Sequence, residues 1–191
     1  MQVIIVHGAP GCGKTTMAAK LHEFYKSPWF EFGWIPEFRN LNPHTEMSFK
    51  DEEAMTFETL MLVVKNYIRH GFENIILSDL NDIRLLQIPD EFRDCDYIIF
   101  TLYSEDDDVI KQRILSRNNG NEYRDYESSI RLNARIKGRI KLPDEYRIRS
   151  DNKSPDEILC KISDIIAIHK QSKQYNTENY NRSDYYSYTE N

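Results

Sequence analysis

Eight residues near the start of the chain, Gly8 to Thr15, combine three glycines with a lysine and a threonine at fixed spacing. They read GAPGCGKT and satisfy the pattern G-x-x-x-x-G-K-[ST]. The glycines let the backbone curl so that its N–H groups converge on an anion. The lysine offers a mobile positive charge to the outer phosphates, and the threonine offers a hydroxyl to Mg²⁺. The pattern therefore predicts binding of a nucleoside triphosphate or a close relative, together with Mg²⁺.

The segments on either side of this loop are those that the motif requires. Residues 3–6 are an unbroken apolar run, typical of a strand buried on both faces of a parallel sheet. Apolar residues then recur at helical spacing from Met17 to Tyr25. Strand, glycine-rich turn and helix in this order support the motif. The predicted nucleotide-binding residues of the loop are Gly8, Ala9, Pro10, Gly11, Cys12, Gly13, Lys14, Thr15 and Thr16.

A charged pair follows the second predicted strand, an aromatic segment at 30–35. Glu37 and Arg39 come directly after this strand, and the carboxyl ends of parallel strands line the ligand crevice of an open sheet. In one interpretation Glu37 takes a proton from an acceptor hydroxyl while Arg39 holds the acceptor. In the other interpretation the two residues form a solvated surface pair.

An aspartate ends the next buried strand, residues 75–77. An apolar strand that ends in Asp is the form of the second nucleotide motif, whose carboxylate holds Mg²⁺ or its water. Asp79 therefore joins Thr15 as a predicted magnesium ligand, with a simple strand-end cap as the alternative. Asp82 and Arg84 lie just beyond and are candidates for contact with a substrate.

Arginines are concentrated between residues 119 and 141. Four of them lie within about 80° of one another on a helical wheel, at 100° per residue: Arg124, Arg131, Arg135 and Arg139. Guanidinium groups match phosphate oxygens and stabilise the charge of phosphoryl transfer, so a polyphosphate is one partner that would explain the stripe. The alternative is a solvated basic face.

Composition limits the classes of protein to which the chain can belong. The net charge of −6 argues against nonspecific nucleic-acid binding as the main task. No apolar run approaches the roughly 20 residues that span a bilayer, and no signal peptide is predicted. The three cysteines, Cys12, Cys95 and Cys160, are scattered and lack metal spacing, so we expect a reduced, cytoplasmic protein.

The order of the segments predicts a fold of the α/β class. Further buried strands are expected at 96–103 and 146–149, with helices from about 51, 104 and 154. We predict a three-layer α/β/α domain at 1–169, with a mostly parallel five-stranded sheet and an Arg-rich helical lid at about 118–141. From residue 170 to 191 the composition changes to Asn, Ser, Tyr and charge, which predicts a flexible tail.

Taken together, these motifs resemble the small P-loop kinase superfamily of nucleoside and nucleotide kinases, with its shikimate-kinase-like and antibiotic-phosphorylating members. The segment EYRDYESSIRLNARI is similar to the lid of nucleoside monophosphate kinases, and KQRILSR is similar to the R-x-x-x-R that precedes it. SPWFEFG resembles a stretch of the chloramphenicol phosphotransferase type that leads to a catalytic Asp. Here no Asp follows Gly33, so Glu37 would have to serve, and the lid has Arg-Asp-Tyr in place of a double Asp.

The resemblance implies an ATP-dependent phosphotransferase, a kinase, that acts on the hydroxyl or phosphate of a small molecule such as a nucleoside or nucleotide. The implied catalytic residues are Lys14, Glu37, Asp79, Arg117, Arg124 and Arg131. Arg113, Arg117 and Arg135 would help to bind the nucleotide, and Glu37, Arg39 and Asp82 would contact the acceptor. The sequence indicates neither the acceptor nor the oligomeric state.

Two other functions stay open at this stage. A nucleotide-binding ATPase could act as a switch that reports its state to a partner, although the nearest guanine-reading pattern, Asn152 to Asp156, has its Asp one residue too late. A polynucleotide 5′-end kinase would use the arginine stripe on nucleic acid, although the acidic composition argues against it.

Overall fold

In a computed structural model, the chain is described at residues 2–35, 46–117, 122–171 and 180–188. The described strands form one all-parallel sheet in the order β2-β3-β1-β4-β5. Their bounds are β1 Gln2–Gly8, β2 Trp29–Glu31, β3 Asn74–Ser78, β4 Tyr97–Tyr103 and β5 Glu145–Arg149.

Helices cover both faces of this sheet. Their bounds are α1 Lys14–Tyr25, α2 Phe49–Arg69, α3 Asp82–Leu85, α4 Ile88–Glu91, α5 Asp107–Leu115, α6 Tyr126–Gly138 and α7 Pro155–Gln171. Short 3₁₀ helices occupy Phe32–Trp34 and Arg182–Tyr188. The predicted three-layer α/β/α fold with a parallel five-stranded sheet is confirmed. The Arg-rich helical lid stays a prediction.

The core lies in two layers because successive residues of a strand point to opposite faces of the sheet. On β1, Ile4 and Val6 pack with residues of α1, α5, α6 and α7. Val3 and Ile5 face the other way and pack with residues of α2 and of the α3–α4 region. All seven residues of β1 are buried, which explains the unbroken apolar run.

Three details differ from the sequence-based expectations. β2 ends at Glu31, earlier than predicted, because a 3₁₀ helix begins at Phe32. Helix α5 begins at Asp107, with the side chain of Asp106 as its cap, and does not begin at Ser104. The arginine stripe does not lie on one helix: Asp125 caps α6, which ends at Gly138, so its first and last members fall outside the helix.

Part of the predicted flexible tail is helical and contacts the domain. The Tyr180 hydroxyl donates to the Leu86 carbonyl (2.5 Å), and Arg182 pairs with Asp90 at 2.6 Å. The Tyr185 hydroxyl donates to a backbone carbonyl near the start of β5. Residues 180–185 thus pack beside α4.

Within the described ranges, no helix has the length and apolar character needed to cross a bilayer.

Candidate active site

The loop between β1 and α1 has the geometry of an anion cradle. Gly8, Gly11 and Gly13 all have positive φ angles, of 142°, 90° and 93°. At Gly8 a Cβ atom would lie 2.3 Å from the carbonyl oxygen of Leu102 on β4, so only glycine fits there. Helix α1 begins after Gly13 without a side-chain cap or an acid in its first turn. Its N-terminal dipole is therefore available to an anion.

A cavity of about 810 Å³ opens over this loop. Its lining includes the loop from Pro10 to Thr16, and side chains from β2, the β3 end, α5 and the start of α7. The residues outside the loop that line the cavity and are discussed below are Glu31, Gly33, Trp34, Asp79, Arg113, Arg117, Tyr123 and Ser150. The structure thus brings most of the predicted nucleotide-binding residues to one cavity.

Lys14 and Asp79 meet at the floor of the cavity. The Lys14 Nζ lies 3.4 Å from the Asp79 Oδ1. Asp79 follows the last residue of β3 and has a left-handed backbone, with φ 66°. Its carboxylate is 49% exposed, so it remains accessible to a ligand. The structure therefore brings Lys14 of the phosphate loop and Asp79 of the second predicted motif together.

Glu31 is a candidate site residue that the sequence did not indicate. The Thr15 hydroxyl donates a hydrogen bond of 3.0 Å to its Oε1. Glu31 is the last residue of β2 and stands opposite Ser78 in the sheet, so it lies next to the strand end that carries Asp79. The signal in the sequence was a single carboxylate within an aromatic run, in a strand that we expected to continue to residue 35.

An exposed indole forms one wall of the cavity. Trp34 is 53% exposed, and its ring centroid lies 4.9 Å from that of Trp29. The Trp29 Nε1 donates to the Ser78 hydroxyl at 2.9 Å, which ties this aromatic pair to β3. Phe30 and Phe32 pack instead against the core layer around α2. The aromatic segment therefore divides between core and cavity.

Two of the predicted arginines flank the loop. Arg113 on α5 donates to the carbonyl oxygens of Gly11 (3.3 Å) and Ser150 (2.9 Å). It therefore braces the back of the phosphate loop against the end of β5. Arg117 and Tyr123 lie at the mouth of the cavity.

The other predicted lid arginines are not among the described residues that line the cavity. Arg124 donates to the carbonyl oxygens of Tyr123 and Arg117. Arg131 is exposed and donates to the Ser128 hydroxyl at 2.7 Å. Both follow the lining residue Tyr123 in the chain, and their role as phosphate ligands stays a prediction.

Asp82 and Arg135, predicted to contact acceptor and nucleotide, contact each other instead. The Arg135 Nη2 lies 2.9 Å from Asp82 Oδ2, and the buried His7 Nε2 lies 3.1 Å from Asp82 Oδ1. Burial would raise the pKa of Asp82, but His7, Arg135 and Arg139 outweigh burial and lower it. Asp82 is therefore a largely buried carboxylate held between a histidine ring and a guanidinium.

The remaining predicted members of the site have other outcomes. Glu37 and Arg39 lie outside the described residues. Arg139, the last of the stripe, forms a buried pair with Glu145 at 2.7 Å. Cys12 is buried in the loop, and its Sγ lies 3.7 Å from Asn133 Oδ1. Burial raises the pKa of the Cys12 thiol to about 11, against the smaller opposing influence of Lys14, so the thiol is neutral.

Comparison with solved structures supports this fold. A sugar kinase from a Janibacter species has a TM-score of 0.63 and 19% identity over 88% of this chain and 95% of that chain. The tunicamycin resistance protein of Deinococcus radiodurans has a TM-score of 0.64 and 18% identity over 86% and 95%. The APS kinase of Mycobacterium tuberculosis, in complex with AMPPNP and APS, has a TM-score of 0.57 and 15% identity over 87% and 97%.

Comparison of sequences gives the family. No curated protein sequence matches the chain. Residues 1–117 match the family model described as chloramphenicol phosphotransferase-like protein. The match spans the phosphate loop, both cavity carboxylates and the arginines at 113 and 117, and it covers more than half of the chain. The chain therefore belongs to the chloramphenicol phosphotransferase-like family and has the fold of small P-loop kinases.

Proposed function

We propose that this protein transfers the terminal phosphoryl group of ATP to a hydroxyl or phosphate of a small molecule. Family and fold indicate a phosphotransferase. The observation that carries the finer proposal is the arrangement at the cavity floor. There Lys14 faces Asp79, and Thr15 faces Glu31, beside a glycine-rich anion cradle. Phosphoryl transfer depends on this kind of positioning and charge stabilisation.

The cavity floor fits a magnesium ion bound together with phosphates. Thr15, Glu31 and Asp79 place hard oxygen atoms beside the cradle. Among the described residues, no group of three or more His, Cys, Asp or Glu forms a metal cage. Mg²⁺ bound to nucleotides uses only one or two carboxylates and keeps waters and phosphates as its other ligands. When bound, it would neutralise the charge that develops on the transferring group.

In this proposal each residue of the site has a separate role. The loop N–H groups and α1 hold the phosphates, and Lys14 leaves its ion pair with Asp79 to contact them. Thr15 and Asp79 would hold the metal, and Glu31 would orient the Thr15 hydroxyl through their hydrogen bond. Glu37 remains our candidate for the base that accepts the acceptor's proton, with Arg39 holding the acceptor.

The lid arginines complete the proposed mechanism. Arg117 lies at the mouth of the cavity, with Arg124 bonded to its carbonyl. We infer that Arg117, Arg124 and Arg131 move over the transferring phosphoryl group when both substrates are bound. Closure would also exclude water and so limit wasteful hydrolysis of ATP.

The test is ADP release from Mg²⁺–ATP in the presence of a panel of nucleosides, nucleotides, sugars, antibiotics and 5′-hydroxyl oligonucleotides. We expect one class of compound to stimulate release, and Lys14→Ala to abolish the stimulation. Lys20→Ala is the matched control, because Lys20 lies on the same helix but pairs with Asp156 at 2.6 Å. Tight nucleotide binding without stimulation by any compound would contradict the proposal and favour a nucleotide-dependent switch.

A further inference from the structure

Asp79 adopts a backbone conformation that L-residues rarely occupy. Its φ of 66° lies in the left-handed region, which residues with a Cβ atom adopt far less often than glycine. The residue is exposed, so packing of its own side chain does not impose this conformation. In this conformation its carboxylate reaches Lys14. Such strain persists only where the surroundings determine the backbone.

The residues after Asp79 are each fixed by a side chain from elsewhere in the fold. The Leu80 carbonyl lies 3.2 Å from His7 Nδ1. The Asn81 amide donates to Glu53 on α2, and its Oδ1 caps α3. Asp82 contacts both His7 and a guanidinium of α6. The turn is therefore held from β1, α2 and α6 together.

His7 occupies the central place in these contacts. It is 2% exposed and follows Val6, which stands opposite Ser78 in the sheet. Its two ring nitrogens face two oxygens that only accept hydrogen bonds, the Leu80 carbonyl and the Asp82 carboxylate. His7 directly precedes the phosphate loop, and its ring therefore connects the start of that loop to the turn that carries Asp79.

We propose that His7 and Asp82 are positioning residues, which hold the turn after β3 so that Asp79 keeps its left-handed conformation beside Lys14. The proposal rests on the phosphotransferase function proposed above. It gives Asp82 a role through Asp79 in place of the substrate contact expected from the sequence. It also links the lid helix α6 to the metal-side carboxylate, because Arg135 holds the same Asp82.

A structural test needs no knowledge of the acceptor. Crystal structures of the His7→Gln and Asp82→Asn variants are compared with that of the unaltered chain. In both variants we expect Asp79 to leave the left-handed region, with its carboxylate beyond the ion-pair distance of about 4 Å from Lys14. His169→Gln is the matched control, because His169 Nε2 lies 3.5 Å from Asp96 at the opposite end of the sheet. An unchanged Asp79 backbone in the folded variants would overturn the proposal.

A kinetic test separates positioning from a general loss of structure. ADP release is measured under single-turnover conditions with Mg²⁺–ATP. We expect His7→Gln to lower the rate constant about tenfold, with the ATP concentration for half-maximal rate changed less than about twofold. In an Asp79→Asn background the same change should have less than about a twofold effect, because the group that His7 positions is already altered.

The outcomes distinguish the two proposals. Equal losses from His7→Gln in both backgrounds would overturn the positioning role and leave the phosphotransferase intact. Undiminished ADP release in Lys14→Ala would instead contradict the proposed function. His169→Gln should leave the rate constant unchanged in either background.

Discussion

Replacement of Glu31 by Gln is the sharpest test of the cavity floor. Glutamine keeps an oxygen at the same distance from the Thr15 hydroxyl, which lies 3.0 Å away, and removes only the charge. Hydrogen bonds to charged groups contribute about 1.5–3 kcal/mol, roughly twice or more the value of neutral ones. If this bond orients the hydroxyl that binds Mg²⁺, the difference of about 0.5–2 kcal/mol between the charged and the neutral bond corresponds to about 2- to 30-fold in the Mg²⁺ concentration for half-maximal ADP release.

The assay is a Mg²⁺ titration of ADP release at saturating ATP, with thermal unfolding of each variant as a check on folding. Glu23→Gln is the control, because Glu23 is an exposed residue of α1. Glu31→Ala removes the acceptor as well as the charge and should have the larger effect. A Mg²⁺ dependence of Glu31→Gln equal to that of the unaltered chain would refute the reasoning.

Three further predictions concern stability and the acceptor. Gly8→Ala should lower the midpoint of thermal unfolding by several degrees, because the new Cβ would meet the Leu102 carbonyl at 2.3 Å. Asp151→Asn should be less stable than the unaltered chain at pH 7. Burial raises the pKa of Asp151, but the hydrogen bond with Arg149 helps to lower that pKa to about 2. The stability that the ionised carboxylate contributes is therefore lost as the pH falls from about 4 to about 2, and urea titrations should show the two proteins converging in stability. Trp34→Ala should raise KM for the acceptor identified in the panel at least about fivefold, with nucleotide affinity unchanged, as measured by calorimetry.

The parts of the site that the sequence predicted are those encoded locally. The glycine pattern determines the loop because each glycine meets a local backbone requirement. Asp79 was found because a buried strand ends beside it. Glu31 was missed because its role depends on where β2 stops, and the aromatic run gives no mark of that point. The strand ends where the 3₁₀ helix begins, at a place where Trp29 contacts Trp34 of that helix and donates to Ser78 of β3.

The surroundings of the charged residues depend on features that spacing along the chain does not show. A helical wheel assumes one continuous helix, but the side chain of Asp125 caps α6 and sets its start. Arg135 was predicted to bind nucleotide and Asp82 to bind an acceptor, and in the structure the two form an ion pair at 2.9 Å. The partner that completes this pair, His7, is 75 residues away from Asp82 in the chain. Spacing along a sequence does not report such nonlocal neutralisation.

The burial of Cys12 has a consequence for chemical probes of this protein. A cysteine within a phosphate loop is an attractive target for covalent inhibitors, since modification there would block the nucleotide. The attacking species in such reactions is the thiolate, and the raised pKa of Cys12 leaves almost none at neutral pH. Electrophiles and peroxide should therefore modify the exposed Cys160 on α7 first, with nucleotide binding intact. Compounds designed to block the loop should compete for its anion cradle and leave its sulfur aside.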